Sequence, residues 1–344
     1  MRQRSFLTCL AVLLGVLGVT AGCGSSSTGS DDPQVIKYGM YEPGTDAGYL
    51  LMAQEKGFFE KHGAKVEVVK FKSAQQAFPA LLSGQVDIIQ GNPSEALLAK
   101  QRGADIKFIG STMPGLNYVI YAKPGHKDLA SLSGATVGIS TPTALPAIVA
   151  KEMLSQAGVD LKTVKFVNSG GSPDRYKAVV SGQIDAASSP LDFIAQARKD
   201  NVTVLAKARD VVPDYPRYAL IARSDVLKRA PDAVTGLIAG LVEGIRYALD
   251  HEDEANALTA KALSLPADAE EITSTYTEYR DGGYLAANGS IPVRQIEYLA
   301  DLQQRLGLAE APVDTASLID DSFRAKAIAD LGEVPETYYG AKES

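Results

Sequence analysis

Cysteine, histidine and tryptophan are nearly missing from this chain: its 344 residues hold two cysteines, three histidines and no tryptophan. Both cysteines fall within the first 23 residues, so the rest has no thiol for catalysis and none for a disulfide. His62, His126 and His251 are scattered with no cysteine to join them, and zinc-ligand spacing is absent. No Walker loop, dinucleotide fingerprint, HExxH or Gly-x-Ser-x-Gly elbow occurs. Basic charge is short as well. The 34 Lys and Arg against 41 Asp and Glu leave −7, which argues against a nucleic-acid binder with its basic face. What remains is a globular composition, 45% hydrophobic. Single cores stop growing at about 250–300 residues, so two domains are expected.

The N-terminus accounts for the cysteines. Arg2 and Arg4 precede an apolar run from Phe6 to Val19, too short to span a bilayer comfortably but suited to an export signal. It ends in Thr20-Ala21-Gly22-Cys23, which resembles a bacterial lipobox, although Thr20 departs from the usual branched aliphatic residue. An ordinary secretory cut near Ala21 is the alternative. Residues 1–22 then form a lipoprotein signal peptide, and residues 23–34, rich in Gly, Ser and Asp, a flexible tether. Lipidation of Cys23 would anchor the chain to the outer face of the cell membrane. Cleavage before Cys23 removes two arginines and leaves 322 residues with a net charge of −9.

The chain also repeats itself. Ala80-Leu-Leu-Ser-Gly-Gln-Val-Asp87 recurs as Ala178-Val-Val-Ser-Gly-Gln-Ile-Asp185, and the match extends outward. Lys37 to Met40 parallels Thr136 to Ile139, Val69 to Phe71 parallels Val164 to Phe166, and Asn92 to Glu95 parallels Ser189 to Asp192. Each half reads as alternating strands and helices over about a hundred residues, which predicts parallel strands with right-handed crossovers. Tyr49 to His62 has helix-forming composition with Gly63 as its stop, and Lys65 to Lys70 alternates as a half-buried strand. The repeated Ser-Gly-Gln-x-Asp turn ends a helix and opens a strand, so it reads as structural rather than as a site. Asn117 to Pro124 and Arg217 to Ser224 also align, and both look like strands at corresponding places in two lobes. Pro231 to Leu249, 292–307 and 315–329 read as helices that pack back onto the first lobe.

With these features the chain resembles a type 2 periplasmic solute-binding protein of an ABC importer, of the nitrate/sulfonate/taurine and thiamine-pyrimidine-precursor superfamily. The carrying residues are Tyr38 to Pro43, Ala53-Gln-Glu-Lys-Gly-Phe-Phe59, Leu82 to Asp87, Leu129 to Ser140 and Leu318 to Phe323, together with the lipobox. The resemblance implies an α/β fold of two Rossmann-like lobes joined by a two-strand hinge near residues 119–124 and 219–224. Lobe one would comprise 35–119 plus 225–335, lobe two 120–224, and 336–344 a C-terminal tail. It further implies a monomer that closes on a small-molecule ligand and delivers it to a membrane permease, with no cofactor.

Such a cleft lies at the carboxyl edges of the strands, so its candidate residues follow each strand. In lobe one these are Tyr41, Glu42, Thr45, Asp46, Ser73, Asn92 and Ser94. In lobe two they are Ser140, Thr141, Thr143, Gly170, Gly171, Ser172, Arg175, Ser188 and Ser189. Asp46 and Ser94 also read as helix caps. Gly170-Gly171 could expose backbone N–H groups to an anion, with Arg175 as its partner, and Tyr118 and Tyr218 read as hinge packing. The expected ligand is an organic anion of the sulfonate, taurine or nitrate type, although Glu42 and Asp46 favour one that also carries an amine. A heteroaromatic vitamin precursor of the aminopyrimidine type or an aromatic carboxylate is the alternative. Enzymes exist on this scaffold, including a pyrimidine synthase using histidine and a cysteine-rich motif, but the cleft candidates here include neither, so a non-enzymatic role is expected. A surface lipoprotein without transport is the remaining rival.

Overall fold

The computed structural model describes residues 35–72 and 74–340. The signal peptide, the tether with Cys23, Ser73 and the last four residues of the tail lie outside them. No helix among the described residues is long and apolar enough to cross a membrane.

The strands are β1 (Val35–Tyr41), β2 (Lys65–Phe71), β3 (Ile88–Gly91), β4 (Ile106–Gly110), β5 (Tyr118–Ala122), β6 (Thr136–Ile139), β7 (Lys165–Asn168), β8 (Ala186–Pro190), β9 (Thr203–Lys207) and β10 (Ala219–Arg223). The helices used below are α1 (Ala74–Leu82), α2 (Pro93–Gln101), α3 (Leu145–Gln156), α4 (Ser172–Val180), α5 (Ile194–Lys199), α6 (Pro231–Asp250), α7 (Glu252–Leu263), α8 (Glu270–Gly282), α9 (Val293–Arg305) and α10 (Ser322–Leu331).

Two five-stranded sheets result, β2-β1-β3-β10-β4 and β7-β6-β8-β5-β9. They have the same layout, as the internal repeat predicts. In each, the first strand of the repeat runs parallel to its neighbours on both sides. The fourth strand in spatial order is antiparallel and comes from chain that has just left the other sheet: β10 in the first, β5 in the second.

The repeated aspartate has a structural task in both sheets. The Asp87 carboxylate accepts a 2.9 Å bond from the Lys37 N–H, and Asp185 a 2.7 Å bond from the Thr136 N–H. The same two aspartates donate their own N–H groups to the carbonyls of Lys37 and Thr136. Arg229 pairs with Asp87, and Lys123 with Asp185. This double clamp pins each strand start at the edge away from the carboxyl ends, so the motif is structural as read.

Three expectations change. The helix expected over Tyr49 to His62 is three single turns, Ala47–Leu50, Met52–Glu55 and Phe58–Lys61, broken at Gly57, whose φ of +67° is left-handed. The break lays residues 53–64 along α6. There Gly236, Gly240 and Gly244, four residues apart, form one stripe, and a Cβ on Gly244 would come within 2.7 Å of the Ala53 backbone nitrogen. The Ala53 to Phe59 motif is therefore a packing motif.

Secondly, β5 and β10 lie inside the two sheets and are not paired with each other. The chain crosses between sheets just before them, in 111–117 and 212–218. These segments bond directly: the Arg217 N–H donates to the Pro114 carbonyl at 2.7 Å, and the Tyr218 N–H to that of Met113 at 3.2 Å. The crossing segments thus lie a few residues upstream of the hinge expected at 119–124 and 219–224, and residues 219–223 pair within the first sheet.

Thirdly, the C-terminal helices straddle both lobes instead of packing on the first alone. While α6 packs on residues 53–64 and on α10, α8 lies against α5. Its acidic side chains face a basic strip, with Lys199 2.9 Å from Glu271 and Lys207 2.6 Å from Glu278. Helix α9 reaches lobe two as well, where the Tyr298 hydroxyl donates to buried Glu152 at 2.8 Å.

Adding one methyl group at the α6 stripe should be felt at once. Gly244→Ala is expected to cost about 1–3 kcal/mol by urea denaturation with little change in the denaturant slope, because the clash is with backbone that cannot rotate away.

Candidate functional site

An antiparallel strand begins where its parallel neighbours end. Ala219 of β10 therefore lies opposite Gly91 at the end of β3, and Tyr118 of β5 opposite Pro190 at the end of β8. The residues that open β5 and β10 consequently enter the space between the carboxyl edges of the two sheets. These are Asn117 and Tyr118 from one crossing, Arg217 and Tyr218 from the other, and in the repeat alignment they correspond.

The two lobes meet across this space. The loop after β1 reaches the turn after β8, where the Thr45 N–H donates to an Asp192 carboxylate oxygen at 3.2 Å and the Thr45 hydroxyl donates to the same oxygen. Beside it Asp46 is 6% exposed and accepts 2.8 Å from the Gly44 N–H. Burial first and the Asp192 charge second push the Asp46 carboxyl up to about 7, against the opposing pull of Arg217. The Arg217 guanidinium lies 4.2 Å from the Tyr218 ring centre and 5.1 Å from that of Tyr118, within cation–π range of both. Tyr41 packs on Tyr218 at 5.7 Å. From α8, Tyr279 reaches in and its hydroxyl accepts from the Asn117 side-chain amide at 2.6 Å.

Several polar atoms around this space are buried without a hydrogen-bond partner: the hydroxyls of Tyr41, Ser188 and Ser189, the Asn117 Oδ1 and the Arg217 Nε. Each such group costs on the order of 1–3 kcal/mol, so together they favour a polar molecule that can satisfy them. No group of three or more potential metal ligands exists among the described residues.

Of the expected site residues, Tyr41, Thr45, Asp46, Ser188 and Ser189 come together here. Asn92 sits at the margin, capping α2 through Ser94 N–H and donating to the Arg217 carbonyl at 3.2 Å. Ser94 is used elsewhere, its hydroxyl accepting from Gln303 of α9 at 2.6 Å. Glu42, Thr141 and Thr143 are exposed and Ser140 is half-buried.

The anion nest expected at Gly170-Gly171 is already filled by the chain itself. The Gly170 N–H donates to the Asn168 side chain at 3.0 Å and the Gly171 N–H to the Asp174 carboxylate at 3.3 Å, so an incoming anion would meet a negative charge. Arg175 is 2% exposed and braces this loop, donating to the Ser188 carbonyl at 2.9 Å, the Gly170 carbonyl at 2.8 Å and the Ser172 hydroxyl at 3.0 Å. Its geometry is that of a structural arginine, and the cleft cation is Arg217. Arg217, Asn117 and Tyr279 escape a rule that inspects only loops following strands, whereas Asp192, in the turn after β8, is within its reach. The alignment of Asn117-Tyr118 with Arg217-Tyr218 was the available signal for two of them.

Residues 45–255, more than half of the chain, match the family described as NMT1/THI5 like. The protein of Bacillus subtilis named "Putative aliphatic sulfonates-binding protein" is 25% identical over 332 residues, covering 93% of this chain and 96% of that one. In fold, the chain is similar to the periplasmic aliphatic sulphonate binding protein SsuA from Escherichia coli, with a TM-score of 0.71 and 20% identity over 84% of this chain and 92% of that one. The periplasmic nitrate-binding protein NrtA from Synechocystis PCC 6803 gives a TM-score of 0.71 with 16% identity over 88% and 90%. Two mixed α/β sheets in the periplasmic binding protein fold are common ground among these structures and this one.

The raised Asp46 pKa carries a signed consequence. The native state holds a proton that the unfolded chain releases between about pH 4 and 7, so this group lowers stability as pH rises through that window. Asp46→Asn should therefore exceed the parent by a smaller margin at pH 5 than at pH 8, as read from urea midpoints at both values.

Proposed function

The chain belongs to the NMT1/THI5-like family, and from that premise we propose that it is the extracytoplasmic solute-binding component of an ABC importer. It captures a small organic anion of the sulfonate type and delivers it to a membrane permease. The observation that carries this reading is Arg217: a cation between two tyrosine rings, entering from a crossing segment into a space surrounded by unsatisfied buried polar atoms. An anionic head would bond Arg217, Asn117, Ser188 and Ser189, as charge-assisted hydrogen bonds to a planar guanidinium are the strong ones. The binding role itself accords with the relatives named as sulfonate-binding and nitrate-binding proteins.

Asp46 and Asp192 narrow the ligand. A bare anion such as nitrate would have to sit beside two carboxylates, whereas an aminosulfonate would put its ammonium there and its sulfonate on Arg217. The Thr45 to Asp192 bonds then close the mouth, with the bonded crossing segments as the hinge. Lobe one comprises the first sheet with β10, and lobe two the second sheet with β5. The tyrosines would also stack on a flat heteroaromatic ring, the second reading. Residues 1–34 serve export and attachment through Cys23 in this account.

Calorimetry of taurine, a simple alkanesulfonate, nitrate and an aminopyrimidine tests it, in buffers that are not themselves sulfonates. Taurine should bind best, and Arg217→Ala should weaken it by about 100-fold or more. Near pH 7 taurine should release a proton from Asp46, making the measured enthalpy depend on the ionisation enthalpy of the buffer, and a bare anion should take a proton up. Undiminished binding in Arg217→Ala, or a preference for the aminopyrimidine, would overturn the anion reading.

A further inference from the structure

The repeat makes the two lobes comparable residue by residue, and they differ at one groove. In lobe two the gap between α4 and α5 is filled. Tyr176 stacks on Phe193 at 4.8 Å and meets Tyr121 edge-on at 5.3 Å, and its hydroxyl donates to the Asp200 carboxylate at 2.9 Å. The alignment of Ala80 with Ala178 puts Phe78 in the place of Tyr176, and that of Tyr118 with Tyr218 puts Ile221 in the place of Tyr121. The alignment of Asn92 with Ser189 puts Ala96 in the place of Phe193 and Gly103 in that of Asp200. Lobe one therefore lacks two of the rings, the hydroxyl and the carboxylate that close the gap in lobe two.

Of these positions Phe78 and Gly103 line an open groove of about 720 Å³ between α1 and α2, walled also by Leu82, Leu98, Ala99 and Ile106, whereas Ala96 and Ile221 are fully buried. Leu82 is 47% exposed there. Towards the start of α2 the groove is lined by Glu95, the counterpart of Asp192, and its Oε2 is buried with no hydrogen-bond partner. Burial pushes this carboxyl up to about 7. Arg102 and Arg223 line the other end, where Arg223 is already held by Asp225 at 2.8 Å.

We propose that this groove is a second ligand site, separate from the interlobe cleft, that takes a small aromatic amine. Its ring lies against Phe78 and Leu98, as Phe193 lies against Tyr176 in the other lobe, and its ammonium donates to Glu95. A carboxylate-bearing ligand is disfavoured at that end by the like charge. The groove's size suits a small organic molecule, and apolar walls with a few polar groups at the ends are the usual make-up of such sites.

The test uses the full chain with 2-phenylethylamine as the probe, and with 2-phenylethanol and 3-phenylpropionate as its neutral and anionic counterparts. Two-dimensional NMR should show saturable shifts at the amides of Phe78, Leu98 and Ala99 with the amine, about tenfold tighter than with the alcohol, and no saturation with the carboxylate. Glu95→Gln should bring the amine down to the alcohol's affinity and leave the alcohol unchanged. Ala99→Phe should fill the groove and remove binding of both. Should that variant fail to fold, Glu95→Gln decides alone. No saturation by about 10 mM amine, equal affinities for amine and alcohol, or an unchanged amine affinity in Glu95→Gln would each overturn the proposal. Taurine titrated into the same samples reports on the interlobe cleft separately, and its result bears on Arg217 and not on this groove.

Discussion

Each sheet takes its fourth strand from chain that has just left the other sheet, and the architecture of the cleft follows from that exchange. Two crossings must run side by side, because both start and finish at the same pair of sheets. They bond to each other through Arg217 to Pro114 and Tyr218 to Met113. Since the exchanged strands are antiparallel, whatever precedes them is delivered to the carboxyl edges of the parallel strands. The opposite edges are tied off by Asp87 and Asp185, each accepting from the N–H of a strand start. One end of each sheet is closed by its own backbone and carboxylates, and the other faces the opposing lobe.

The electrostatics of the cleft depend on this placement. Bringing Asp46 of one lobe near Asp192 of the other in a dry setting costs free energy unless a proton or a cation intervenes. Thr45 offsets part of it with an N–H and a hydroxyl on Asp192. Arg217 is near enough to pull Asp46 the other way, yet its guanidinium faces tyrosine rings instead of being consumed in a close ion pair. In the proposed reading, the partly unsatisfied Arg217 and the buried acid pair suit a ligand carrying both signs of charge. Arg175 illustrates the alternative fate of an arginine: three bonds to its own lobe make it part of the wall.

Duplicated lobes need not do duplicated work. Equivalent positions hold Glu95 and Asp192, but one lies in a groove of its own lobe and the other against the opposing lobe. The C-terminal helices add a further asymmetry, since α6 and α10 serve the first lobe while α8 and α9 also grip the second. Tyr279 enters the cleft only because α8 is held there.

Much was legible in the residue order alone. The repeat, its strand and helix alternation, the structural Ser-Gly-Gln-x-Asp turns and the long α6 all follow from local periodicity and turn chemistry, and local signals survive in one dimension. Composition also removed most catalytic chemistries. The joint between lobes and the identity of the cleft cation were not legible in this way. Arg217 lies before a strand, and a rule that searches after strands passes over it. Only the antiparallel insertion of β10 between β3 and β4 turns that position towards the ligand edge. Strand direction is decided by pairing with residues over a hundred positions away, and so only the tertiary structure offers Arg217 as a candidate beside Arg175.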